Sequence, residues 1–121
     1  MEELLQILMQ DETLLNLTNN KIKAFGDLGI EKGLTYSFSP ISNNGVKATY
    51  RFTFTAVSFS ITDSQNIIKR INKLLLTIGD NRLTHKILKV IQSGGGNLTN
   101  IVDGRKMYHF QSIYIITRRE D

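Results

Sequence analysis

Two histidines, His85 and His109, are the only side chains in this chain whose ordinary pKa lies near neutral pH. Neither lies beside a nucleophile motif, and the serines of Ser58-Phe59-Ser60 alternate as strand residues do, without a nucleophile elbow. The chain has no cysteine, which excludes disulfides and thiolate metal ligands. We therefore predict no enzyme activity, no metal site and no cofactor.

A run of three glycines followed by Asn97 is the next candidate for chemistry, because glycine lets a backbone approach a phosphate closely. Phosphate-binding loops continue into a Lys-Ser or Lys-Thr pair and a helix, and neither follows here. With the Asp103-Gly104 turn dipeptide downstream, the run instead predicts a long, mobile hairpin tip. The candidate contact residues of this tip are Gly94, Gly95, Gly96, Asn97, Asp103 and Gly104.

Lys69, Arg70 and Lys73 form a basic strip on one side of a predicted helix. Such strips are usually solvated faces, but they also suit a partner surface. A nucleic-acid-binding module would in addition present exposed aromatic rings, and the aromatic residues alternate as core residues do. We retain the three residues as candidate contacts and a small basic nucleic-acid-binding domain as one alternative function.

Charge is distributed unevenly along the 121 residues. Residues 1–31 hold six acids against two lysines, a balance of −4, whereas residues 32–119 hold thirteen bases against three acids, a balance of +10. Opposite charge on two parts of one molecule allows one copy to attract the next, or the basic part to attract nucleic acid. A solvated surface without a specific partner is the third interpretation.

The strongest strand pattern is Lys47–Ala56, in which Tyr50, Phe52 and Phe54 share one parity and lysine, arginine and threonines take the other. The apolar parity switches after Ala56. This switch predicts either a β-bulge or a strand end covered on both faces, and we favour the bulge.

A helix follows directly. Thr62 and Gln65 have the spacing of a capping box, and Gly79 is a stop signal. Six apolar residues between these signals recur at helical spacing and predict one buried stripe. They are Ile67, Ile68, Ile71, Leu74, Leu75 and Ile78.

The Asn44-Gly45 dipeptide predicts a tight hairpin that joins the Lys47–Ala56 strand to an alternating segment, Leu34–Ser39. Pro40 stands where that first strand should end. The hairpin tip, Asn43, Asn44 and Gly45, completes the candidate contact residues.

Acids and leucines near the N-terminus predict a short helix, with Asp11 capping a second piece, and two further strands follow the central helix. The chain is therefore expected to be a single domain, residues 1–121, of the α+β class. We predict an antiparallel sheet of about four to five strands, with an N-terminal helix and a central helix packed on one face. No apolar run approaches the roughly 18 residues that span a bilayer, and the N-terminus is acidic, so we expect a soluble chain that is neither exported nor inserted in a membrane.

The order and spacing of these segments resemble the tail terminator, or tail completion, proteins of long-tailed bacteriophages (siphoviruses), which are also called minor capsid or minor tail proteins. The resemblance covers nearly the full length. It lies in Glu3–Leu8, Asp11-Glu12, Tyr36–Pro40, Arg51–Phe54, Asn66–Ile71, Gly79-Asp80, Gly94–Leu98, Met107–Phe110 and Tyr114–Ile116.

The resemblance implies a structural virion protein without catalytic activity. Its subunits would assemble into a ring, commonly a hexamer, that caps the tail tube at the end proximal to the head. The implied partners are other copies, the tail tube protein and the head–tail connector protein, with nucleic acid limited to DNA passing through the ring. Assembly would take place in the host cytoplasm, and no membrane partner is implied. A neck or head–tail joining protein on the portal side is the alternative within the virion.

Overall fold

The computed structural model describes residues 2–18, 21–24, 32–80, 87–102 and 105–119. These ranges contain three helices and five strands. The helices are α1 (Glu2–Met9), α2 (Glu12–Leu17) and α3 (Ile61–Asp80), and the strands are β1 (Ile22–Ala24), β2 (Gly33–Asn43), β3 (Lys47–Ser58), β4 (Ile87–Val102) and β5 (Arg105–Arg119). No helix within them is long and apolar enough to cross a membrane. His85, Asp103 and Gly104 lie outside the described residues.

The five strands form one sheet in the order β1-β2-β3-β5-β4. The predicted α+β class is confirmed. The prediction of a purely antiparallel sheet fails at one strand, because β1 runs parallel to β2, with Ile22 opposite Leu34. All other neighbours are antiparallel. β1 is a short strand at the edge of the sheet, and it contains one lysine, Lys23, a residue type that discourages pairing with other chains.

The core lies between one face of the sheet and the helices. Ile67, Ile71 and Leu75 of α3 are fully buried, as the apolar stripe predicts. They pack in one cluster with aromatic side chains of β3 and β5, and Leu8 and Leu14 bring α1 and α2 into the same cluster. Because β3 and β5 are paired with Phe52 opposite Tyr114, their even-numbered residues face these helices.

The start of α3 lies two residues earlier than a capping box with Thr62 as the N-cap predicts. The helix begins at Ile61, and the Ser60 hydroxyl, not that of Thr62, accepts a hydrogen bond from the Asp63 amide at 3.4 Å. Three hydroxyl residues, Ser60, Thr62 and Ser64, precede the apolar stripe, and spacing alone does not decide which one caps the helix. Gly79 lies inside the helix as its next-to-last residue.

The parity switch after Ala56 marks a strand end that is covered on both faces. The pairing of β3 with β5 continues without a shift through Ala56, Val57 and Ser58, and all three residues are buried. Val57 packs on the opposite face from the main core, in a small cluster with Met107 and Phe59. The bulge that we favoured at this position is therefore wrong. Register shifts lie instead in β2 between Pro40 and Ser42, and in β4 between Ile87 and Lys89 and between Gln92 and Gly94. Strand β2 continues past the proline to Asn43.

The triple glycine does not form a turn. Gly94, Gly95 and Gly96 lie within β4 and pair with Ile113, Ser112 and Gln111 of β5. A Cβ atom on Gly95 would lie 2.5 Å from the backbone oxygen of Gln111, so this glycine permits a close approach of two strands. The prediction of a hairpin tip at this run is wrong. Glycine is also found within a strand where the backbone of a neighbouring strand lies too close for a side chain.

Candidate assembly surfaces

The predicted Asn-Gly hairpin is present and is held by its own side chains. The Asn44 side-chain oxygen accepts hydrogen bonds from the amides of Val46 at 3.0 Å and Lys47 at 2.7 Å. The Asn43 side-chain oxygen accepts from the Gly45 amide at 2.8 Å, and Gly45 has a φ of +85°, which disfavours any residue with a side chain. The turn is therefore a defined structure, although every residue from 39 to 47 is exposed.

The basic strip on α3 is divided by an ion pair within the chain. The guanidinium of Arg70 donates to both carboxylate oxygens of Asp11, at 2.8 Å from Nε and 2.5 Å from Nη2. Asp11 also caps α2 by accepting from the Leu14 amide at 2.9 Å. Lys69 and Lys73 remain exposed. The Asp11 carboxylate thus connects α2 to α3. Arg70 therefore has a structural role within the subunit, whether or not it also contacts a partner.

The Asp11 carboxylate should make the stability of the fold depend on pH. The hydrogen bonds from Arg70 lower the pKa of Asp11 below its ordinary value. The folded state therefore binds this proton less readily than the unfolded state, so the stabilisation is present above about pH 4 and is lost as the pH falls through the lowered pKa. Hydrogen bonds to charged groups contribute roughly 1.5–3 kcal/mol, so Asp11→Asn should unfold more easily by about that amount at pH 7.

Chemical unfolding of the wild type and Asp11→Asn at pH 7 and pH 2 measures this effect. The difference between the two proteins should shrink at the lower pH. Glu12→Gln is the matched control, because Glu12 is the next residue along and is exposed. A difference for Asp11→Asn that is the same at both pH values would contradict the role given to the carboxylate charge.

The predicted contact residues lie in three separate places. Asn43, Asn44 and Gly45 form the hairpin tip at one end of the sheet, while Lys69 and Lys73 lie on the helix layer. Gly94 to Gly96 are exposed within the edge strand, and Asn97 follows them opposite Phe110. These residues do not form one site; they mark different sides of the molecule.

One face of the sheet carries none of the described helices, and its central residues are not among the predicted contacts. The odd-numbered residues of β3 and β5 form its centre, where the hydroxyls of Thr49 and Thr117 are 3.3 Å apart and the Gln111 amide donates to Thr55 at 3.4 Å. We call this surface the open face. Its members from Lys47 to Val57 and from Met107 to Arg119, apart from the buried pair Val57 and Met107, are Lys47, Thr49, Arg51, Thr53, Thr55, His109, Gln111, Ile113, Ile115, Thr117 and Arg119.

The open face is hydroxyl-rich and is crossed by an apolar patch. Ile91 of β4 pairs with Ile115 of β5, Ile113 lies two residues away, and Ile91 is 45% exposed. No acidic residue occurs on the described part of this face, whereas Arg51 and Arg119 are exposed there. A wide surface of this kind suits contact with another macromolecule better than it suits a small ligand.

The fold is similar to that of a virion chain. A chain in the virion of a native gene transfer agent (GTA) particle matches with a TM-score of 0.62 and 10% sequence identity, covering 96% of this chain and 91% of that chain. No protein-family model matches the chain, and no curated protein matches it either. At this identity the likeness establishes a shared fold over nearly the full length.

The cavities beside these surfaces are shallow. One of about 490 Å³ lies against α1 and is lined by Leu5, Gln6, Met9, Gln10 and Tyr36, and another of about 320 Å³ lies at the hairpin and includes Lys47 and Thr117. In the described ranges, no group of three or more histidine, cysteine or acidic side chains is placed to hold a metal ion. His109 lies on the open face opposite Val57, half-buried.

Sequence patterns contained a signal for the open face but none for the ion pair. The threonines of β3 share one parity, and they form a surface because none of the described helices packs on that face of the sheet. Asp11 and Arg70 are separated by 59 positions, and neither has a pattern that points to the other. Pairing across such a distance is decided by tertiary packing.

Proposed function

We propose that this chain is a structural virion protein whose copies form a ring, commonly of six subunits, at the head-proximal end of the tail. The ring caps the tail tube and connects it to the head. Its partners are further copies of the chain, the tail tube protein and the head–tail connector protein. The sequence resemblance to tail terminator proteins and the fold shared with a virion chain support this proposal. Assembly takes place in the host cytoplasm before the virion is complete.

The observation that carries the proposal is a sheet whose described helices all lie on one face. If such sheets are arranged around an axis, the bulkier helical layer takes the outer circumference, and the open face lines the interior. An interior without described acidic residues, and with Arg51 and Arg119 exposed, does not repel the phosphates of DNA that passes through it. The open face therefore fits the lumen of a ring around DNA.

The charge distribution supplies a reason for copies to meet head to tail. Helix α1 begins with Glu2 and Glu3, whereas Lys47 and Arg119 are paired positions at the hairpin end of β3 and β5. A head-to-tail contact needs two different surfaces on one subunit, and repetition of that contact closes a ring when the rotation per subunit divides a full turn. Contacts of this kind weaken as salt rises.

The test is assembly on the tail tube itself. The purified chain, alone and mixed with tail tubes that lack their cap, is examined by light scattering and negative-stain microscopy at low and moderate salt. We expect ring-shaped density at one end of the tube, and less of it at moderate salt. A chain that leaves both tube ends bare at every salt concentration would refute the proposal.

Two other outcomes would assign the chain elsewhere. Density on the portal side of isolated heads, with bare tubes, would identify a neck or head–tail joining protein. Binding to random duplex DNA with a steep salt dependence, and no binding to tubes, would identify a nucleic-acid-binding domain. Either result overturns the tail cap.

A further inference from the structure

Strand β4 has an outer side that none of the described strands covers. It is the last strand in the sheet order and is 16 residues long. An uncovered edge presents a row of backbone amides and carbonyls that can pair with another chain. Natural edge strands are usually short, charged or interrupted by proline for this reason, whereas β4 contains no charge and no proline from Val90 to Val102.

The opposite edge of the sheet is protected over only part of its length. β1 has three residues and covers Leu34 to Tyr36 of β2, and Lys21 and Lys23 add charge there. Beyond Tyr36, the outer side of β2 has no described partner strand. Between Gly33 and Val46 the sequence contains no charged residue. The sheet thus has a second uncharged edge, on the side away from β4.

Pro40 limits how a strand can add to this second edge. The Leu34 amide donates to the Lys21 carbonyl at 2.8 Å, so it points outward, away from β3. Amides two residues apart point to the same side of a strand, and the pairing of β2 with β3 is regular from Leu34 to Pro40. Pro40 therefore occupies an outward-pointing position and lacks that donor. The edge can pair on both sides of this gap.

Of the three β4 glycines, Gly94 borders a register shift between Gln92 and Gly94, and Gly96 has no requirement within the described part of the subunit. A Cβ atom on Gly94 or Gly96 would meet nothing within 4 Å, and neither residue has a positive φ, whereas Gly95 is required by its contact with Gln111. Gly94 and Gly96 are opposite Ile113 and Gln111, so they are on the open face. Their lack of side chains leaves the backbone accessible from that side.

We infer that the outer edge of β4 is the seam between subunits, where the uncovered part of β2 of a second copy adds as the next strand. β2 and β4 run in opposite directions within one sheet, so the added strand is antiparallel when the sheets continue in the same orientation. The two edges differ, so the contact is head to tail and continues from copy to copy. This inference rests on the proposed ring and specifies how its subunits join.

The first test uses the absence of native cysteine. Single variants Ser37→Cys and Ser39→Cys on β2 are mixed with Gly94→Cys or Gly96→Cys on β4, assembled on tail tubes and oxidised. All four positions lie on the open face, where adjacent strands bring Cβ atoms within disulfide range. We expect dimers from at least one mixture, and none from either variant alone or from mixtures with Gln65→Cys, an exposed residue of α3.

The second test places charge on the seam without disturbing the subunit. Lysine at Gly94 and Gly96 has room in the monomer but would lie beside the added strand. Ring occupancy on tubes should fall at least about tenfold, because charged side chains, and lysine above all, oppose the pairing of an edge strand with another chain. The control is the double variant Gln65→Lys/Asn66→Lys, which adds the same charge at exposed positions of α3 and should assemble as the wild type does. Equal melting curves for both variants show that the monomer fold is intact.

The outcomes separate the seam from the ring. If rings form without any β2–β4 disulfide, or with both lysines present, the proposed β2–β4 contact is refuted. The proposed function as a tail cap is not affected by that result. Disulfides that form within Gly94→Cys or Gly96→Cys alone indicate a symmetric contact between two β4 strands, which also overturns it. Tubes that stay bare with the wild-type chain overturn both proposals.

Discussion

Replacing Gly95 with alanine is expected to destabilise the fold by about 1–3 kcal/mol, the usual cost of inserting a methyl group where packing leaves no space. The new Cβ atom would lie 2.5 Å from the Gln111 backbone oxygen and 3.4 Å from the Cα of Ser112. A backbone oxygen cannot rotate away as a side chain can, so β4 and β5 must separate locally. These two strands share the most extensive pairing in the sheet, from Ile87 to Val102, so the strain falls on a major element.

Gly94→Ala and Gly96→Ala are the matched controls, one residue away on either side. Their Cβ atoms enter open space, and neither glycine has a positive φ. Alanine restricts the unfolded chain more than glycine does, so these two variants should be unchanged or more stable by up to about 1 kcal/mol. Urea unfolding of the three variants measures the contrast. Equal destabilisation by all three would show that the close approach at Gly95 is not what sets the effect.

The same glycines show where sequence reasoning fails. Glycine runs are commonest in turns, so Gly94–Gly96 followed by Asn97 predicts a tip. The run in fact lies in the middle of strand β4. Glycine is needed at Gly95 because the backbone of Gln111 lies close to it, and no local sequence pattern identifies that contact. Asn44-Gly45 was predicted correctly, since its requirement is local: a positive φ at Gly45 and side-chain bonds within the turn.

Helices and strands with a regular hydrophobic pattern over many residues could be predicted from the sequence. The contacts between these elements could not. The alternation of β3 and the apolar stripe of α3 indicate which faces are buried, and Phe52, Phe54 and Ile71 are fully buried as expected. The parallel pairing of β1 and the Asp11–Arg70 ion pair depend on how the chain returns in three dimensions. The candidate surfaces differ in the same way. The hairpin tip could be predicted from its own turn residues, whereas the open face can be recognised only once the positions of the helices are known.

Truncating the centre of the α3 stripe should have the largest effect on stability. Ile71 is fully buried and belongs to the cluster that includes Phe52, Phe54 and Tyr114. Ile71→Ala removes three carbons and leaves a cavity that a sheet on one side and a helix on the other cannot close, so we expect a loss of about 2–5 kcal/mol. All of the described helices pack on this one side of the sheet, so the loss falls on the main core cluster.

Leu76→Ala on the same helix is the control, since Leu76 is 52% exposed and its truncation creates no internal cavity. We expect a change within about 0.5 kcal/mol for this variant. Both variants are compared by urea unfolding as monomers and again by ring formation on tail tubes. If α3 is a scaffold on the outside of the ring, Ile71→Ala reduces assembly only in proportion to the unfolded fraction, whereas Leu76→Ala leaves assembly unchanged. A Leu76→Ala protein that is stable but fails to assemble would instead place α3 in a contact between subunits, and would argue against helices that face outward into solvent.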